Sequence, residues 1–341
     1  MSHPLIDGLA TSADILIHNF DVALDRALVI RLSEDQRRKA SFLDDRILGA
    51  GVEGGWAQWA QIEPAARRAP AGDPAFIFHV GHCGSTLISK LIEEATGVRS
   101  LREPNGLRTL ATIAGDVAED ASLWSAEVFR DRLALYLNIA AAGRSCVIKA
   151  TSWCGALADH TSGRALFCYS RPEAFIATML GGANNPTDLK LNAAMRLKRL
   201  RALCGARALC ALSALSPGEL AGLGWACETA TIAGAMSRDA GRFHPVEFDE
   251  FLAAPEQTLT RAIAHLSIDG ERARLAAALS GPLMRTYSKD ASFDYSPDDR
   301  RQLLGEYKAA HGAEIAKGRA WIDTLAKTEP AVEAALSRFG A

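Results

Sequence analysis

The chain lacks any uninterrupted run of eighteen apolar residues, so no segment reads as a membrane-spanning helix. Its amino end lacks the basic start and apolar stretch of a secretory leader. The one Asn-x-Ser/Thr triplet, Asn185-Pro186-Thr187, has proline in the middle and cannot accept an N-linked glycan. Excess charge is missing too. With 38 Lys and Arg against 40 Asp and Glu the net charge is −2. That removes the broad positive field expected of a nucleic-acid binder or a protein held on an anionic membrane. Paired cysteines are absent: the seven (83, 146, 154, 168, 204, 210 and 227) are odd in number and show no metal-type spacing. Reduced, mostly buried thiols in a cytoplasmic protein are the expectation. Neither an internal repeat nor a low-complexity tract is visible, and oligomeric state has no signature.

What is present fills a core: 341 residues with 48% hydrophobic content, enough for one large domain or two small ones. Residues 1–74 read as an N-terminal helical extension packed on the core, with Val22, Leu24, Ala27, Leu28 and Ile30 in one apolar patch. The Pro/Gly/Ala-rich stretch 66–74 reads as a linker. From 75 to 341 short apolar runs (76–80, 98–101, 146–149, 165–169, 243–248) alternate with helix-like stretches at 85–96, 122–142, 172–180 and 190–212. This predicts an α/β fold, a three-layer sandwich around a central parallel sheet with a helical C-terminal portion. Ser216-Pro217-Gly218-Glu219 and Ser296-Pro297-Asp298-Asp299 read as helix starts.

The most telling stretch is FIFHVGHCGST, residues 76–86, running into LISKLI. An apolar strand ends in Gly81-His82-Cys83-Gly84-Ser85-Thr86, and Leu87, Ile88, Leu91, Ile92 and Ala95 then recur at helical spacing. Strand, Gly-rich turn and helix present backbone N–H groups and a helix N-terminus to an anion, usually a phosphate. The usual nucleoside-triphosphate loop places Lys directly after its second glycine. Here that residue is Ser85, and Lys90 lies a full turn into the helix. No apolar strand ends in an Asp suited to Mg²⁺; Cys146–Lys149 ends in Lys and Ala165–Tyr169 runs into Ser-Arg. The loop reads as a cradle for a less charged phosphate without a metal.

On these residues the chain resembles the sulfotransferase branch of the P-loop superfamily, including its bacterial members, which use 3′-phosphoadenosine 5′-phosphosulfate (PAPS) as donor and release 3′,5′-bisphosphoadenosine (PAP). The family's Lys/Arg-Ser-Gly-Thr-Thr loop corresponds to His82-Cys83-Gly84-Ser85-Thr86, so the basic residue that meets the sulfuryl group falls on His82. A second motif, Arg-x-Pro with a Ser about six residues later, is similar to 167–180 (FCYSRPEAFIATML). There Arg171 sits one place closer to Pro172, Ser170 holds the usual Arg slot and Thr178 the Ser position. The resemblance implies that Ser170, Arg171 and Thr178 bind the 3′-phosphate. Gly81, Cys83, Gly84, Ser85 and Thr86 would cradle the 5′-phosphosulfate. Phe243–Ile268 is similar to the family's late strand and following helix, while Ser288, Lys289 and Tyr295 fall where the family has a loop closing over the nucleotide.

Family members place a Lys, then a His two residues on, at the end of the third strand; here these are Lys149 and Thr151. Lys149 matches, and the acceptor base falls elsewhere. Glu103, after the second strand, occupies a position used by some carbohydrate-type members, with Arg102 as a neighbour anchoring acceptor or sulfuryl group. Catalytic candidates are therefore His82, Glu103 and Lys149. The implied reaction moves a sulfuryl group from PAPS to a hydroxyl or amine of a small molecule, sugar or peptide, without a metal and without nucleic-acid or membrane partners. A divergent P-loop kinase using ATP, or a non-catalytic nucleotide-binding module, are the alternatives. The basic stretch Met195–Leu203 reads as a solvated face or as a cationic wall near the nucleotide, and the Gly-rich 181–188 as a gate for the acceptor.

Overall fold

In the computed structural model, residues 5–49, 51–183, 185–205, 209–287 and 294–341 are described. The first seventy residues are built on strands rather than on helices alone. β1 (Ile15–Asp21), β2 (Arg26–Arg31) and β3 (Gly54–Gln58) form an antiparallel sheet in the order β1-β2-β3. Two short helices, α1 (Glu34–Lys39) and α2 (Trp59–Ala66), follow β2 and β3. This corrects the expectation of a helical extension. The apolar patch is a strand and the turn before it, not a helix: Ala27, Val29 and Ile30 are buried in β2 while Leu24 lies on an exposed turn. Asp21 makes that turn, accepting the Leu24 N–H at 3.1 Å and pairing with Arg26 at 3.0 Å.

The main sheet is parallel throughout, in the order β5-β6-β4-β7-β8. Its strands are β4 (Ala75–His79), β5 (Arg99–Arg102), β6 (Cys146–Lys149), β7 (Ala165–Tyr169) and β8 (Phe243–Glu247). Connecting them are α3 (Ser85–Thr96), α4 (Asn105–Ala118), α5 (Ala126–Ala141), α6 (Pro172–Gly181), α7 (Asn185–Cys204) and α8 (Pro217–Arg238). After β8 come α9 (Phe248–Ala253), α10 (Pro255–His265), α11 (Arg272–Ser280), α12 (Pro297–Ala326) and α13 (Pro330–Phe339). One helical group, α3 with α10 and α11, and another, α6, α8, α12 and α13, flank the sheet. Central β4 is buried at all five positions, as a strand covered on both faces must be. Edge strand β8 tolerates Pro245, which has no N–H to give a further neighbour. Both foreseen helix starts carry capping boxes, at Ser216 and at Ser296. No helix among the described residues is long and apolar enough to cross a membrane.

A buried charge cluster fastens the N-terminal segment to the sheet domain. Glu93 of α3 is bonded by Arg37 of α1 at 2.5 Å and by Arg102 of β5 at 2.6 Å. Burial pushes the Glu93 carboxyl up, but the Arg102 and Arg37 guanidiniums outweigh it and hold the group below the usual range. Arg102 also donates to the carbonyls of Arg37, Arg38 and Ala40, satisfying the C-terminal end of α1. Arg102 is thus a structural clamp, 1% exposed with its guanidinium spent on Glu93 and α1, not the anchor foreseen for an acceptor. One face of the basic stretch in α7 is likewise internal. Arg196 and Arg199, at i and i+3, meet the buried Glu228 of α8 at 3.2 and 3.3 Å. Lys198, exposed and paired with Glu119, lies on the solvated face that was foreseen.

Replacing Glu93 with Ala would leave two buried guanidiniums without their anion. Urea denaturation should show a loss of about 3–5 kcal/mol; an unchanged midpoint would mean that the cluster contributes nothing.

Candidate functional site

The carboxyl ends of β4, β5 and β6 converge on a cavity of about 680 Å³. Its floor is the turn between β4 and α3. Gly81 (φ 94°), His82 (φ 51°) and Gly84 (φ 70°) all lie in the left-handed region, so the turn curls successive amides to one side. A side chain at Gly84 is excluded twice, by its φ and because a Cβ would sit 1.9 Å from the Phe248 ring. α3 begins at Ser85, and its first intrahelical donor is Ile88, bonded to the Gly84 carbonyl at 3.0 Å. Its earlier amides have no intrahelical acceptor and face the same opening. Ser85 and Thr86, 4% and 2% exposed, add hydroxyls to the lining.

Cys83 points the other way. Its thiol donates to the Cys168 carbonyl at 3.1 Å, and burial pushes its pKa up to about 11. Lys90 also misses the cavity: its ammonium bonds Ser41 Oγ at 3.1 Å, and burial lowers its pKa to about 8. It does not replace the lysine of a triphosphate loop.

One wall carries the charge pair foreseen as catalytic. Lys149 Nζ, 1% exposed, bonds Glu103 Oε1, and the Glu103 N–H donates to the Lys149 carbonyl at 2.7 Å. Glu103 sits at φ 51°, a costly conformation for a non-glycine residue, which turns its side chain into the cavity from the end of β5. The same wall holds two residues that the sequence did not mark. Phe42 and Arg46 come from the N-terminal segment, with the guanidinium 4.1 Å from the ring centroid. Asp44 fixes that guanidinium in a fork at 2.8 and 2.6 Å.

The far wall departs from expectation. Thr178 lines the cavity, but Arg171 and Ser170 do not. Arg171 is 45% exposed and paired with Glu250 at 2.8 Å, because its position before Pro172 at the start of α6 sends it outward. Ser170 is buried outside the lining, its hydroxyl lacking a partner among the described residues. The cation beside Thr178 is Arg300, from the first turn of α12. Its Nη1 donates to Thr178 Oγ1 at 3.3 Å and its Nε to Asp249 Oδ1 at 3.3 Å. The guanidinium lies 5.0 Å from the Phe248 centroid and faces Tyr295, and its buried Nη2 has no hydrogen-bond partner among the described residues. A buried guanidinium with a donor to spare beside a cavity is suited to holding an anion. Arg300 escaped the sequence reading because Asp298-Asp299-Arg300-Arg301 looks like a solvated helix start. Ser288 and Lys289 lie outside the described residues. Most of the foreseen gate is helix, since α6 runs to Gly181 and α7 opens at Asn185, while Gly182 and Ala183 line the cavity.

No family model matches the sequence, and no curated protein matches it either. Among solved structures the chain is similar to the sulfotransferase STF9 from Mycobacterium avium, with a TM-score of 0.41 and 13% identity over 74% of this chain and 80% of that one. It is also similar to the sulfotransferase domain from the curacin biosynthetic pathway, with a TM-score of 0.38 and 15% identity over 70% of this chain and 91% of that one.

Because the Cys83 thiol is buried and raised in pKa, a disulfide exchange reagent near pH 8 should leave it intact in the folded protein and modify it only in urea. About one thiol in a thousand would be ionised three pH units below its pKa. Rapid labelling of Cys83 in the native state would overturn this account of the loop.

Proposed function

We propose that the chain is a PAPS-dependent sulfotransferase acting on a hydroxyl or amine of a small molecule, sugar or peptide. The observation that carries this reading is the spacing of charge around a single cavity. An amide-lined turn forms its floor, a buried Arg300–Thr178 pair one wall and a Lys149–Glu103 pair the other. The first two supply separate anion positions, as an adenylate bearing both a 3′-phosphate and a 5′-phosphosulfate requires. The Arg300 nitrogen without a partner among the described residues and the left-handed turn support the fit.

In this reading the turn's amides, Ser85 and Thr86 hold the 5′ end, and Arg300 with Thr178 holds the 3′-phosphate. The bound donor supplies the sulfuryl group. Lys149 and His82 face the oxygen on which negative charge grows, and an ammonium and an imidazole N–H fixed in place act there without reorganisation. Glu103 takes the acceptor's proton, held in place by the ammonium of Lys149. Phe42 and Arg46 form the side from which the acceptor enters.

Two measurements test the reading. PAP should raise the melting temperature, adding about 2.7 kcal/mol at 100 times its dissociation constant. Arg300→Gln should lose most of that shift; a larger shift with ATP and Mg²⁺ than with PAP would favour a kinase. Glu103→Gln should lower kcat by about 10²–10⁴ while PAP binding holds, and full activity in that variant would remove Glu103 as the base.

A further inference from the structure

His79 is the last residue of β4, and the roles assigned so far leave its imidazole unused. It lines the cavity at 5% exposure, with both ring nitrogens engaged. Nδ1 accepts the Gly81 N–H at 3.0 Å, and Nε2 donates to the Ala150 carbonyl at 2.8 Å. An amide N–H can only donate and a carbonyl can only accept. The two bonds therefore require one state of the ring, neutral with its proton on Nε2. Nε2 also lies 3.8 Å from Glu103 Oε1, the oxygen that Lys149 holds. The anion turn, the end of β6 and the end of β5 all meet on this ring.

We propose that His79 is a positioning residue which, as the neutral Nε2–H tautomer, sets the anion turn in register with the Lys149–Glu103 pair. The bond to Gly81 fixes the first amide of the turn inward, against the protein. The amides that follow are then left to face the cavity. The bond to Ala150 fixes the residue after Lys149, so the ammonium and the turn keep a constant separation.

A second proton, on Nδ1, would set N–H against the Gly81 N–H and release the start of the turn. Among the described residues, Glu103 from β5 faces the ring and favours that proton, and Lys149 from β6, paired with Glu103, opposes it. His82 stands in the turn itself. The thiols of Cys83 and of Cys168, the β7 neighbour of His79, stay protonated because burial raises both.

The inference rests on the sulfotransferase reading for the identity of the ligand, but the state of the ring does not. Nitrogen-15 NMR of the free protein near pH 7.5 should show His79 as the neutral Nε2–H tautomer. On acidification, amide exchange at Gly81 should accelerate as the ring protonates. PAP affinity, followed by calorimetry, should fall about tenfold over the same range, the worth of one buried hydrogen bond. His79→Asn keeps an acceptor near the Nδ1 position without a titrating ring. It should bind PAP within about threefold of wild type near neutral pH and lack the acid limb. His79→Phe should be about tenfold weaker at every pH. An Nδ1–H tautomer or an imidazolium near neutral pH would overturn the proposal. So would an acid limb that persists unchanged in His79→Asn. If wild type binds no PAP while Gly81 exchange still follows the titration of His79, the sulfotransferase reading falls and the positioning role stands.

Discussion

The contact on which the site depends is the seating of Gly84 against the Phe248 ring. The turn between β4 and α3 can only close because no Cβ intervenes there. The same ring lies under the guanidinium of Arg300. One aromatic side chain thus fixes the amide-lined floor and backs the far wall, so the distance between the turn and the Arg300 guanidinium is set by a packed core residue. Phe248 is itself the first residue of α9, directly after β8, and stands at the carboxyl edge of the sheet where ligands of parallel α/β folds gather.

Charge inside the protein is distributed with a clear division. Glu93 and Glu228 are each enclosed by two arginines. Burial raises the Glu228 carboxyl while Arg199 and Arg196 pull it back. Such clusters fix which helix packs where, and their desolvation cost leaves little net gain in stability. The Lys149–Glu103 pair differs in being open on one side: Lys149 is sealed but the Glu103 side chain keeps 14% of its surface exposed. That asymmetry lets a carboxylate be both held and available.

Much of the sheet domain could be read from residue order, because its strands are short apolar runs and the turn carries its glycines at the one place where left-handed geometry is needed. All five strands of the main sheet and α3 fall within a residue or two of their expected limits. The N-terminal sheet was hidden because Val22–Ile30 mixes a turn with a strand, and a patch of apolar residues does not reveal its period when a turn breaks it. Around the cavity, the family resemblance pointed to Thr178, Lys149 and Glu103 but could not tell that Arg171 turns outward. Arg300, Phe42 and Arg46 reach the site from distant parts of the chain, and nothing in their own neighbourhoods says so. His79 was passed over in favour of His82, since a histidine within a strand reads as core until its two partners are known.

The N-terminal segment meets the sheet domain through more than buried charge. Leu43 bridges it directly, its N–H donating to the Arg102 carbonyl at 2.7 Å and its carbonyl accepting from Asn105 at 3.0 Å. Phe42 and Arg46 flank this pinned residue. The wall nearest Glu103 is therefore a short span riveted at its middle, whose side chains can be exchanged without loosening the backbone that bears them. A change in the lining of the cavity has its natural place here, in residues that can drift while the turn of the floor stays constant.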